Sequence, residues 1–234
     1  MPYLSADFDD DVARVVFERP QHRNALDLDT LDAFTEALLE AERRGCRAVR
    51  ISGAGDDLSA GRDHRERAHA DPARWHSASR SVAGALQGFG GLSIVAARGM
   101  AYGFGCVLAA TADLCIASES ARFALDEVPR GYTPKFVMGQ LMVRLPERVV
   151  IDLVCTGRTI GAQEAMRLGI VSQVVDDLCL EAAVDRLTAR ITSNDPRALR
   201  DSKRHVRGLA TLTEIGRREA AAIYTGANVI IQEA

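Results

Sequence analysis

Two short apolar runs that each open into a glycine-rich loop constrain this chain more than any other feature. Ala48 to Ser52 runs into SGAGDDLSAGRDH, and Leu92 to Ala97 runs into RGMAYGFG. The second run is nearly all apolar, the pattern of a strand buried on both faces. Val12 to Glu18 alternates and is rich in Val, which predicts another strand, and PQHRNALD after it is turn and cap chemistry. Asp27 is placed to cap a helix whose apolar face is Leu28, Leu31, Phe34, Leu38 and Ala41. Trp75, Ala78, Val82, Leu86 and Phe89 also have helical spacing, and a helix over 105 to 112 leads to a strand over Leu114 to Ala117. Strand, helix, strand therefore recurs, which predicts an α/β fold with right-handed crossovers and a largely parallel sheet.

Glycine loops that follow such strands sit at the carboxyl ends of a parallel sheet, where sites form. A phosphate loop ends in Gly-Lys-Ser/Thr, whereas Cys106, Val107 and Leu108 follow Gly105. A dinucleotide fingerprint is met at Gly103 and Gly105 only, with Leu108 at the third glycine position. What remains is two backbones whose N–H groups converge on one oxygen, the arrangement that stabilises an enolate or a tetrahedral intermediate. The segment ARFALDEVPRGYTP places Asp126 and Glu127 among apolar residues, a setting suited to a general base.

Beyond Pro134 the pattern becomes helix after helix, in PKFVMGQLMVRL, PERVVIDLVCTG and GAQEAMRLG, with proline at starts and glycine at ends. A strand at Ile170 to Val175 interrupts them, and helical stretches at about 178 to 193, 196 to 209 and 212 to 232 follow. The 234 residues carry a net charge of −3, so no global basic field points to nucleic acid or to a membrane surface. An acidic N-terminus and no apolar run near the ~18 residues of a membrane span lead to the expectation of a cytoplasmic protein. Five scattered cysteines (46, 106, 115, 155 and 179) fit free thiols, mostly buried, better than bridges or a metal cage, and His64, His69 and His76 lack metal-ligand spacing. No metal site is expected.

Five segments in this order resemble the crotonase superfamily, the enoyl-CoA hydratases and isomerases. They are ERPQHRNALD at 18 to 27, LSAGRDHRE at 58 to 66, ARGMAYGFGCVLAATADLCIAS at 97 to 118, ARFALDEV at 121 to 128 and TGRTIGAQEAMRLGIVSQVV at 156 to 175. The resemblance implies a crotonase-type ββα spiral core over 1–175 with a C-terminal helical region over 176–234 that serves trimerisation and pocket cover. It implies an acyl-CoA thioester substrate, no separate cofactor, and a homotrimer or dimer of trimers. Carried over by position, the oxyanion donors are the backbone N–H groups of Arg62 and Phe104, and Glu127 is the base. Arg23, Ala25, Ala60, Gly61, Asp63, Arg65, Gly103, Gly105 and Val107 are the implied substrate-binding positions, while Asp113 falls at a structural one.

One departure bears on the chemistry. The hydratases hold water with two glutamates, and Val107 stands where the first would be. A single carboxylate is suited to shuttling a proton, so double-bond isomerisation is the leading expectation. The alternatives are hydration, decarboxylation or carbon–carbon cleavage in secondary metabolism, or CoA-ester binding without catalysis. No GxSxG motif supports a serine hydrolase. The basic stripe Arg197, Arg200, Lys203, Arg204 and Arg207 reads first as a solvated helix face, ahead of CoA phosphate or RNA contact. The sequence assigns no role to the Arg62 side chain.

Overall fold

The structure is a computed structural model that describes residues 3–63, 65 and 71–210. The stretch expected to be helical at 212–232 lies outside the described residues, as do His64 and His69. Two compact units are separated at Ser193 and Asn194, so the helix expected at about 178 to 193 belongs with the first unit.

The first unit is built on a six-stranded sheet of order β1-β2-β3-β4-β6-β9, formed by Leu4–Phe8, Val12–Phe17, Ala48–Gly53, Leu92–Ala97, Leu114–Ser118 and Gln173–Val175. β1 pairs antiparallel with β2, and every later pairing in this sheet is parallel. A second sheet of order β5-β7-β8 joins Met100–Tyr102, Arg122–Ala124 and Ile160–Gly161. The chain thus turns from the large sheet into the small one and back through a helix, as a ββα spiral requires. β5, β7 and β8 have two or three residues each and no alternation to betray them, and together with β1 they are absent from the sequence expectation.

The helices form where the apolar spacing demands. α1 (Leu28–Arg43) is capped by Asp27, whose side chain accepts from the Thr30 N–H at 2.8 Å. Its Leu31, Phe34, Leu38 and Ala41 are fully buried, with Phe34 edge-on to Phe17 of β2. α2 (Pro72–Gly88) buries Trp75, Ala78, Val82 and Leu86, and the Arg74–Asp32 pair at 3.0 Å links it to α1. α3 (Phe104–Thr111), α4 (Lys135–Met142), α5 (Glu147–Thr156), α6 (Ala162–Arg167) and α7 (Leu180–Thr192) complete this unit. Asp113 is structural: Oδ2 accepts from the N–H and the hydroxyl of Ser93, both at 2.8 Å, which joins the entry of β6 to β4. In the second unit, α8 (Pro196–Ala210) buries none of its residues, and Asp201 pairs with Arg204 at 3.6 Å along the basic stripe.

Candidate active site

The site is assembled by a buried hydroxyl. Ser59 is fully buried; its Oγ donates to Asn24 O at 2.8 Å and accepts from the Gly61 N–H at 3.0 Å. Its backbone exchanges bonds with β5, from Ser59 N–H to Met100 O and from Tyr102 N–H to Ser59 O, both at 2.9 Å. Asn24 holds the other side: its amide donates to Ala54 O and Asp57 O, and its Oδ1 accepts from the Arg19 N–H. These bonds hold Arg23 and Asn24 in the left-handed region at φ 52° each, and Arg23 O accepts from the Ala60 N–H at 2.7 Å. Both glycine loops therefore hang from one polar hub.

At that hub the two backbones touch. A β-carbon on Gly61 would lie 2.8 Å from Tyr102 O and 3.3 Å from Phe104 N, and φ there is +83°. Gly103 has φ +50° and a β-carbon on it would stand 3.3 Å from Glu127 Oε1. Only glycine permits both the conformation and the approach. The Asp63 N–H donates to Leu26 O at 2.8 Å, which with the Gly61 bond fixes the Arg62 peptide between two anchored neighbours. Phe104 is the first residue of α3, where an N–H has no acceptor within the helix and the helix favours negative charge. The Gly103 N–H donates to Ala124 O at 2.9 Å, tying this corner to the end of β7, from which the chain reaches Glu127 in a turn closed by Tyr132 N–H to Glu127 O.

A cavity of about 440 Å³ opens here, and Ala60, Arg62, Gly103, Phe104, Asp126 and Glu127 line it. Asp126, the rival base, is ion-paired to Arg130 at 2.5 Å. The Phe104 ring stacks parallel to Phe136 at 6.5 Å, and the Arg62 guanidinium lies 4.3 Å from the centre of the Trp75 ring. Cys106, wholly buried on α3, has its thiol pushed up to about 12, first by burial and then by the negative charge of Glu127.

Several implied substrate positions do not line this cavity. Gly61 lies behind it, and Gly105 is a packing position, since a β-carbon there would meet Ser59 O at 2.9 Å. Asp63 is 8% exposed and pairs with Arg19 at 2.6 Å, its other oxygen accepting from the Arg65 N–H; it fixes the loop instead of facing the cavity. Val107 lines a separate space of about 10 Å³ with Val82, Leu86, Phe104 and Phe136. Arg23 and Arg65 are exposed and Ala25 half-buried, all away from the cavity wall.

A family comparison bears on this geometry: residues 7–226 match the family described as Enoyl-CoA hydratase/isomerase. The chain belongs to the enoyl-CoA hydratase/isomerase family. It is 31% identical over 192 residues to the mouse (Mus musculus) protein named enoyl-CoA hydratase domain-containing protein 3, mitochondrial, covering 79% of this chain and 63% of that one. This chain thus spans less than two thirds of that relative's length. It is 34% identical over 201 residues to the short-chain-enoyl-CoA hydratase of Clostridium acetobutylicum, covering 83% and 77% of the two chains. An enoyl-CoA hydratase of Mycobacterium smegmatis superposes with a TM-score of 0.89 at 25% identity, over 97% of this chain and 91% of that one. The spiral is therefore the crotonase-type fold of the enoyl-CoA hydratase/isomerase family.

Sequence reasoning missed part of the cavity wall. Trp75 was legible as helix core but not as lining, His76 reads as a surface residue, and Tyr132 to Val137 read as turn and helix start. His76 is exposed, yet it stands at the cavity. The position of Trp75 and His76 on the first turns of α2 offers a signal only once that helix is known to close the site.

Proposed function

We propose that this family member acts on an acyl-CoA thioester, holding the carbonyl oxygen with the N–H groups of Arg62 and Phe104 while Glu127 moves a proton. The observation that carries this is the joint placement of Gly61, Gly103 and Glu127: the two loops abut, and the carboxylate stands against the second of them. Glu127 takes a proton from a carbon next to the double bond, and the electron pair moves through the conjugated system to the thioester oxygen. The resulting enolate oxygen receives two hydrogen bonds. Glu127 then returns the proton at a different carbon, which shifts the double bond. The CoA portion runs past Arg23, Ala25 and Arg65, exposed or half-exposed beside the loops, and the reaction needs no cofactor beyond the CoA of the substrate. The same reading carries a cytoplasmic trimer or dimer of trimers.

Hydration is the second reading, favoured by Asp126, a second carboxylate on the cavity wall. Its pairing to Arg130 and the apolar Val107 argue for proton shuttling first. Chromatography coupled to mass spectrometry of short enoyl-CoA thioesters incubated in deuterated water separates the two. Isomerisation gives a product of shifted double bond and no added oxygen, with deuterium to the extent that the proton on Glu127 exchanges with solvent, hydration adds the mass of heavy water, and the absence of both products overturns the proposal.

A further inference from the structure

We propose that the paired rings of Phe104 and Phe136 are the end wall of the acyl pocket, so that the preferred substrate is a thioester of a short acyl chain and Phe136 sets the length limit. This deepens the thioester reading of the cavity and rests on it. Phe104 and Phe136 line the cavity of about 440 Å³ and also the space of about 10 Å³, and no other described residue lines both. The small space continues the cavity along three helices. α2 meets the cavity with Trp75 and His76, and meets the small space with Val82, Ala83 and Leu86, about 10 Å further along its axis. α3 meets the cavity at Phe104 and the small space with Val107, Leu108 and Thr111, the spacing of one helix face. α4 does the same with Phe136 and Gln140, about one turn apart. An acyl chain that leaves a carbonyl held at the Phe104 N–H and follows these faces therefore runs into the two rings.

The rings lie within 5° of parallel with centres 6.5 Å apart, a separation at which aromatic pairs interact. What lies behind them is apolar and nearly full. Val82, Leu86, Val107 and Leu108 are buried there, and about 10 Å³ is roughly the room of one water-sized sphere. A run of methylenes does not fit while both rings stand. In front of them the cavity offers Trp75, Phe104, Phe136 and Val137 as apolar surface to a short chain. Each methylene buried against that surface is worth about fourfold in affinity, and methylenes beyond the wall gain nothing. Phe136→Ala removes one ring and joins the two spaces into a single groove, because the other walls of the small space belong to α2 and α3.

The test is calorimetric binding of saturated even-carbon thioesters, from butanoyl-CoA to dodecanoyl-CoA, to the whole chain and to Phe136→Ala. In the unaltered chain affinity is expected to rise about tenfold from one thioester to the next and then to stop rising, whereas in Phe136→Ala the rise continues for at least one further member of the series. A rise without a stop in the unaltered chain, or a stop at the same length in Phe136→Ala, overturns the proposal. Phe136→Val gives the same reading should the Ala variant not fold. Ala83→Leu added to Phe136→Ala refills the groove and is expected to return the stop to its original length; a stop that stays extended places the added carbons elsewhere and overturns the proposal. Product formation from a short enoyl-CoA by the unaltered chain reports the chemistry separately. Turnover with an unmoved stop overturns this inference alone, a moved stop without turnover overturns the catalytic reading alone, and no binding of any thioester overturns both.

Discussion

Glu127 Oε1 stands 3.3 Å from where a β-carbon on Gly103 would be, so the proposed base and the proposed second oxyanion donor share one wall. Gly103→Ala is expected to displace the carboxylate and to force a side chain into a backbone conformation that costs about 2 kcal/mol. Turnover should fall about 10²-fold or more while the chain stays folded. Circular dichroism with a rate assay checks both, and a folded variant of unchanged rate would show that Glu127 does not need this wall.

Glu127→Gln keeps the size of the side chain and deletes its ability to take a proton. A loss of roughly 10²-fold to 10⁴-fold in kcat is expected, with the affinity for a saturated acyl-CoA nearly unchanged. Steady-state kinetics and calorimetry measure the split. Retention of most of the rate would move the role to Asp126.

The Asp63–Arg19 pair gives an acid dependence. Burial by itself raises the Asp63 carboxyl, but the Arg65 N–H and the Arg19 guanidinium outweigh it and hold it below the ordinary carboxylate value. Because the folded pKa lies below the unfolded one, this pair stabilises fully above about pH 4 and the contribution is lost as pH falls through the folded value. Asp63→Asn should lower Tm near neutrality, by an amount equivalent to about 2 kcal/mol, and flatten the acid side of the Tm profile. Thermal melts between neutral and acid pH decide it.

The cysteines should divide by environment. Cys106 and Cys115 are buried thiols held protonated, while Cys155 and Cys179 are exposed. Iodoacetamide at mildly alkaline pH is expected to label 155 and 179 in the folded chain, and 106 and 115 only after unfolding. Peptide mass mapping reads this, and early labelling of Cys106 would contradict its seat beside Glu127.

Val107 stands where the resemblance places the first hydratase glutamate, so Val107→Glu would restore that carboxylate in sequence. The structure sets Val107, 3% exposed, among Val82, Leu86, Leu108 and Phe136 beside a space of about 10 Å³. A carboxylate there is expected to cost about 3 kcal/mol and to add little hydration. A stable variant with fast hydration would show that the side chain reaches the larger cavity.

The inner strands of the large sheet were legible because they are long enough to carry a pattern, and Leu92–Ala97 is bounded identically by sequence and structure, whereas the mostly exposed edge strand Leu4–Phe8 was not. The small sheet was not, since Met100–Tyr102, Arg122–Ala124 and Ile160–Gly161 are fixed by pairing across the chain and not by local propensity. At the site, glycine loops advertise themselves because only glycine fits them. Trp75 and Phe136 do not, because an aromatic residue at helical spacing reads the same whether it faces the core or a cavity.

The Ser59 hub has a consequence for how such a chain changes its trade. The bonds that set the two loops in register run through the backbones of Leu58 and Ser59 and the Asp57 carboxylate, which accepts from the Met100 N–H, while Asn24 braces the first loop. The side chains of Trp75, Phe136 and Val137 belong to none of those bonds. The frame proposed to hold the thioester oxygen is thus separable from the panels that would choose what arrives, and a redesign for new acyl groups would exchange the panels while the frame stands untouched.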